Sequence, residues 1–162
     1  MPSRVAGATT AVRTPRAVRG GDVMSERFKV VARRRDAAPR AEDACRVGVM
    51  RRIAAARLRH CGLETMQGDV MVIISELLTN ALLHSGTTEI SLSITVRDGF
   101  LNVTVTDDMP GSATRKYVNE KAESGRGLAL VEALVQESGG DWGTRDAGAE
   151  TWCRLAPPEE AR

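Results

Sequence analysis

Glu76, Asn80 and His84 stand four residues apart in a stretch that is otherwise largely aliphatic. That spacing places them on one face of a helix. A carboxylate inside an apolar surround is costly unless it has a partner. Such a stripe suits a metal-bound phosphate site, where asparagine offers Mg²⁺ a hard carbonyl oxygen and glutamate acts as a general base. The same stripe on an ordinary amphipathic helix would be its solvent face. A second candidate is Val105-Thr106-Asp107-Asp108. A carboxylate at a strand end can accept a hydrogen bond from an exocyclic amine such as that of adenine, although aspartate is also a common turn residue. The third candidate is Ser124-Gly125-Arg126-Gly127-Leu128. Glycine lets the backbone approach a ligand, and the free N–H groups of a helix start favour phosphate. This run is neither a Walker loop nor a dinucleotide fingerprint.

The elements that must hold these residues follow from periodicity. Phe28 to Val31 suits a short edge strand. From Ala41 the apolar residues Ala44, Val47, Val49, Met50, Ile53, Ala54 and Leu58 recur at roughly helical spacing until Gly62. Met66 to His84 is a second helix, apolar in nearly every direction through Val70, Met71, Ile73, Ile74, Leu77, Leu78, Ala81 and Leu82, and therefore buried. Ile90, Leu92, Ile94 and Val96 alternate with polar residues, as do Leu101, Val103 and Val105, and Arg97-Asp98-Gly99 joins them as a hairpin. Asp107 to Arg126 has no period, and a loop of that length in a compact domain is usually functional. Gly127 to Glu137 is a third helix, and Thr151 to Leu155 a last strand. The class is α+β, with helices on one face of a mostly antiparallel sheet.

The chain has 162 residues, 42% apolar and 27% charged, with 3% aromatic, so the core is aliphatic. The formal net charge of +2 argues against a polybasic nucleic-acid binder. It also hides a division: residues 1–40 carry ten basic and three acidic side chains, the remainder 13 basic and 18 acidic. Residues 1–25 lack an apolar period and read as a disordered basic tail. The domain is placed at residues 26–157, with a short tail at 158–162. Met1 to Val23 has no continuous apolar segment and is not expected to be a secretory signal, and no apolar run approaches a membrane span. Cys45, Cys61 and Cys153 are odd in number and widely spaced, which argues for reduced thiols in the cytoplasm.

Taken in order, the E-L-L-T-N-A helix, the hairpin ending V-T-D-D, the long loop and the G-R-G-L helix start resemble the Bergerat-fold (GHKL) ATPases. Among these the chain looks most like the stand-alone anti-sigma-factor serine kinases and related ATP-binding regulators of actinobacteria. The likeness spans about Phe28 to Leu155. It implies a single-domain histidine-kinase-like sandwich on a mixed, mostly antiparallel sheet, with ATP and Mg²⁺ as cofactors. By that resemblance Glu76 is the catalytic base for a serine hydroxyl on a protein substrate, and Asn80 the Mg²⁺ ligand. Asp107 reads the adenine amine, while Gly111, Gly125, Arg126, Gly127 and Leu128 line the phosphates beneath a lid over residues 108–124. Thr151 helps to hold adenine, and His84 is left as a helix-end residue.

Two departures stand out. The first glycine box reads Asp107-Asp108-Met109-Pro110-Gly111, without its early glycine, and Glu150 occupies the place counted from Gly148 where the family commonly has threonine. A slip of one residue turns a strand side chain to the other face. The resemblance implies a cytoplasmic anti-sigma factor with serine/threonine kinase activity towards an anti-anti-sigma (STAS-type) protein, binding a sigma factor and able to form a homodimer. The alternative is a non-catalytic module, ATP-binding or nucleotide-free, that binds a partner and sequesters a regulator. No membrane or nucleic-acid partner is expected.

Overall fold

Among the described residues, the periodicities lead to three α-helices packed on one face of a five-stranded sheet. The computed structural model describes residues 20–34, 37–84, 86–109 and 124–158. In chain order the elements are β1 (Gly21–Lys29), α1 (Ala41–His60), a 3₁₀ turn (Glu64–Met66), α2 (Gln67–Leu83), β2 (Glu89–Arg97) and β3 (Phe100–Asp107). These are followed by α3 (Ser124–Glu137), β4 (Asp141–Arg145), a second 3₁₀ turn (Asp146–Gly148) and β5 (Glu150–Leu155).

The strand order is β1-β2-β3-β5-β4. Every pairing among these strands is antiparallel, so the expected parallel component of a mixed sheet is not found among the described residues. The β2–β3 hairpin turns at Asp98-Gly99, where both residues have positive φ, 55° and 78°. That pair is what a two-residue turn matching the right-handed strand twist requires. Its register sets Ile90 opposite Asp107 and Leu92 opposite Val105.

Two strands differ from the sequence expectation. β1 begins at Gly21, not at Phe28, so residues 21–25 belong to the sheet and not to a disordered tail. A register shift between Asp22 and Met24 turns the consecutive Val23 and Met24 both inward, which erases the alternation that would have revealed the strand. β4 is a further strand, interrupted by Gly143, over which the Trp152 ring lies. A glycine inside a short strand weakens its sequence signal.

α2 is the central helix of the core. Val70, Ile73, Ile74, Leu77 and Leu78 are at most 2% exposed, and each such burial stabilises the fold by about 1.5–3 kcal/mol. They meet the inward residues of the sheet, Leu92, Ile94, Leu101, Val103 and Cys153. The segment Glu64–Leu83 is long and apolar enough to cross a membrane by length and composition, which the sequence expectation did not anticipate. Most of its apolar residues are packed in this core, as in a central helix, while Val72 and Leu83 are exposed. α1 packs on α2 through Val47, Met50, Ala54 and Leu58. The start of α1 is tied to the end of β1 by Asp43, buried, which accepts the Val31 N–H at 3.1 Å.

The cysteines are unpaired, with Cys45 and Cys61 exposed and Cys153 buried. Burial pushes the Cys153 thiol up to about 12, so it remains a neutral apolar side chain at physiological pH.

Candidate functional site

The fold brings the three sequence candidates towards one another at the end of the sheet where β3 finishes. Glu76, Asn80 and His84 project from α2 and are all half-buried. α2 turns this polar edge away from the aliphatic core because its other directions are filled by Ile73, Ile74, Leu77 and Leu78.

Gly127 lies in the first part of α3, buried against α2, and a Cβ there would overlap the Glu76 carboxylate oxygen Oε2. Glycine at this position therefore lets the helix and the carboxylate come together. Any larger residue would make the Glu76 side chain move. Leu128 turns into the core beside it. Gly125 and Arg126 belong to the backbone of the same helix, which starts at Ser124 and not at Gly127. Gly111 and most of the expected lid fall outside the described residues.

The Asn80 amide is the point at which a bound ion can be tested against the residues present. Its Nδ2 is buried and has no hydrogen-bond partner among the described residues. A buried N–H donor left without a partner is costly, so this one fits an external acceptor such as a phosphate oxygen, while only the Oδ1 of the same amide could face a cation. Thr87 Oγ1 nearby in the chain is in the same condition. No group of three or more His, Cys, Asp or Glu able to hold a metal is found among the described residues. Mg²⁺ does not need one, since it commonly takes one or two protein oxygens and completes its shell with phosphates and water.

Asp107 ends β3 with 7% of its surface exposed. Its Oδ2 lies 2.6 Å from His84 Nδ1, its Oδ1 accepts the Met109 N–H at 2.8 Å, and its own N–H donates to the Ala149 carbonyl at 2.8 Å. The neighbouring Asp108 faces outward and ties the strand entrance together. It accepts the Thr88 N–H at 2.9 Å, the Thr88 hydroxyl and the Glu89 N–H. Desolvation raises its pKa, yet those three donors outweigh it and leave the carboxyl below its ordinary value.

The question of Thr151 against Glu150 is settled by register. Thr151 pairs with Val105 and is 6% exposed, on the inward face that also carries Asp107. Glu150 points to the opposite face, where it holds Arg145 at 3.0 Å. An open cleft of about 400 Å³ between α3 and β4, lined by Glu132, Gln136, Asp141, Trp142 and Thr144 among others, contains none of these residues.

The contact of His84 with Asp107 is one that sequence reasoning missed. The place of His84 four residues after Asn80 put it on the polar stripe, but nothing local revealed that β3 would end within hydrogen-bond reach.

A family model described as Histidine kinase-like ATPase domain matches residues 40–155. No curated protein matches. Among solved structures, the histidine kinase domain of the Erythrobacter litoralis EL346 blue-light activated histidine kinase is similar, with 23% identity and a TM-score of 0.44. The alignment covers 71% of this chain and 62% of that one, so the chain spans less than two thirds of that relative. With the family model matching well over half of its length, the chain belongs to the histidine kinase-like ATPase domain family.

Proposed function

We propose that this histidine kinase-like ATPase domain binds ATP with Mg²⁺ between α2, the end of β3 and the start of α3, and transfers the γ-phosphoryl group to a protein serine or threonine. The observation that carries the reading is the contact of Gly127 with Glu76, which sets a candidate base beside the glycine-flanked start of a helix. Asn80 would offer Mg²⁺ its Oδ1, and its buried Nδ2, without a partner among the described residues, would donate to a phosphate oxygen. Bound Mg²⁺ would neutralise charge developing on the transferred group. Asp107 would accept the adenine amine, and Thr151 lies on the same face of the sheet to support it. Glu76 would take the proton of the incoming hydroxyl as its oxygen bonds to the γ-phosphorus and the bond to the β,γ-bridging oxygen breaks, with ADP as the leaving group.

The resemblance of the motifs to stand-alone anti-sigma kinases supports a narrower reading. The substrate would be a STAS-type anti-anti-sigma protein, the second partner a sigma factor, and the setting the cytoplasm, with or without homodimerisation.

A second reading has its own observation. Both carboxylate oxygens of Asp107 already accept hydrogen bonds from within the chain, as expected of a structural aspartate in a partner-binding module without nucleotide. Calorimetric titration of ATP with Mg²⁺ separates the two. Saturable binding, weakened about 10- to 150-fold by Asp107→Asn through loss of a charge-assisted hydrogen bond, supports the ATP site. No binding at millimolar ATP overturns it. Transfer of label from ATP to a candidate partner then distinguishes a kinase from an ATP-holding module.

A further inference from the structure

Asp107 is held from two sides. His84 is the residue that ends α2; its backbone is extended at φ −70° and ψ 121°, which turns the chain out of the helix. His84 N–H donates to the Ala81 carbonyl at 3.2 Å, and its own carbonyl accepts the Thr87 N–H at 3.4 Å. The ring reaches β3, where Nδ1 meets Asp107 Oδ2 at 2.6 Å, with side-chain exposures of 14% and 3%. For a carboxylate to accept there, Nδ1 must carry the proton. On the other side Met109 N–H meets Oδ1 at 2.8 Å. Met109 itself packs on Gly86, in the turn that follows His84; a Cβ on Gly86 would sit 3.1 Å from Met109 Cε. One turn therefore supports both donors.

Two donors on separate oxygens fix the plane of a carboxylate. Each oxygen keeps a further lone pair, so the group still accepts one more donor in a set direction. An exocyclic amine satisfies that requirement. A carbonyl in the same place would set two acceptors against each other, which is the stronger form of discrimination.

We infer that His84 is a positioning residue for base selection: its Nδ1–H locks Asp107 so that the site takes 6-aminopurine nucleotides and rejects 6-oxopurine ones. This rests on the reading that Asp107 meets the base. With the lock removed, the carboxylate can rotate and turn to water, losing its aim at the amine and its repulsion of a carbonyl together.

The test uses the full chain with Mg²⁺ and two probes, ATP and ITP, titrated into wild type, His84→Leu and His84→Asn. Leucine retains bulk without a donor, and the asparagine amide can place an N–H near the position of Nδ1. Wild type is expected to prefer ATP over ITP by at least about tenfold. His84→Leu should weaken ATP about tenfold while changing ITP less than about twofold, and His84→Asn should restore most of the preference. Equal behaviour of the leucine and asparagine variants, or a parallel fall for both nucleotides, overturns the positioning role. Wild type that selects ATP, loses it on Asp107→Asn and yet keeps full selectivity with His84→Leu overturns only the role of His84. Wild type that binds no ATP overturns the nucleotide reading itself and this inference with it. If His84→Leu fails to fold by circular dichroism, nitrogen NMR of the wild-type imidazole decides. A proton on Nδ1 is expected, and a bare Nδ1 overturns the inference.

Discussion

Helices α1 and α2 pack side by side, and both carry charged or polar residues at helical spacing, yet those residues have opposite meanings. On α1 the stripe of Asp43, Val47, Met50, Ala54 and Leu58 is buried, while Arg51, Arg52, Arg57 and Arg59 are exposed. What bonds the arginines of this helix make are peripheral: Arg46 reaches the Lys29 carbonyl and Arg51 lies 3.3 Å from the Ser75 hydroxyl. On α2 the aliphatic residues fill the core, and the polar edge is enclosed by other elements. Glu76 abuts Gly127, the Asn80 amide has no partner among the described residues, and His84 holds Asp107. A polar group on a solvated face costs nothing to retain. One that is enclosed must be compensated, so its presence on a core helix points to a ligand or to chemistry.

Substitutions can break or sharpen this contrast. The largest effect is expected from Glu76→Gln, which should lower phosphoryl transfer to a protein partner about 10²- to 10⁴-fold, with ATP affinity and fold retained. Single-turnover labelling beside a binding titration would check this, and a variant as active as wild type would remove Glu76 as the base. Next comes the aliphatic side of the same helix. Leu78 is fully buried, and Leu78→Ala should cost about 3 kcal/mol of stability by leaving a cavity in a core that cannot collapse. Urea unfolding measures it, and a loss below about 1 kcal/mol would mean that the core repacks around α2. The smallest effect belongs to α1. Arg52→Ala on its exposed face should change stability by no more than about 0.5 kcal/mol and leave ATP binding untouched. A measurable fall in nucleotide affinity would show that the basic face of α1 is coupled to the site and that the contrast is overdrawn.

Much of this contrast was legible in the sequence. The bounds of α1 and α2 follow from apolar spacing and from Gly62, which adopts φ 76° just past α1. The hairpin follows from Asp98-Gly99. The signals that failed did so for local reasons. A bulge hid the first half of β1, Gly143 hid β4, and a count from Gly148 pointed to Glu150, whereas the pairing of β5 with β3 puts Thr151 on the face of Asp107.

The site divides along the same line. Residue type and spacing marked Glu76, Asn80, Asp107 and Gly127 as candidates, because helical period and strand alternation are properties of neighbours in the chain, and their roles at an ATP site were what the family resemblance of the ordered motifs implied. Only the tertiary structure placed Glu76 against Gly127, set Thr151 and not Glu150 on the face of Asp107, and joined His84 to Asp107. Those pairings depend on how α2 crosses the sheet and where each strand ends. They are fixed by core packing among residues distant in sequence, and no local pattern records them.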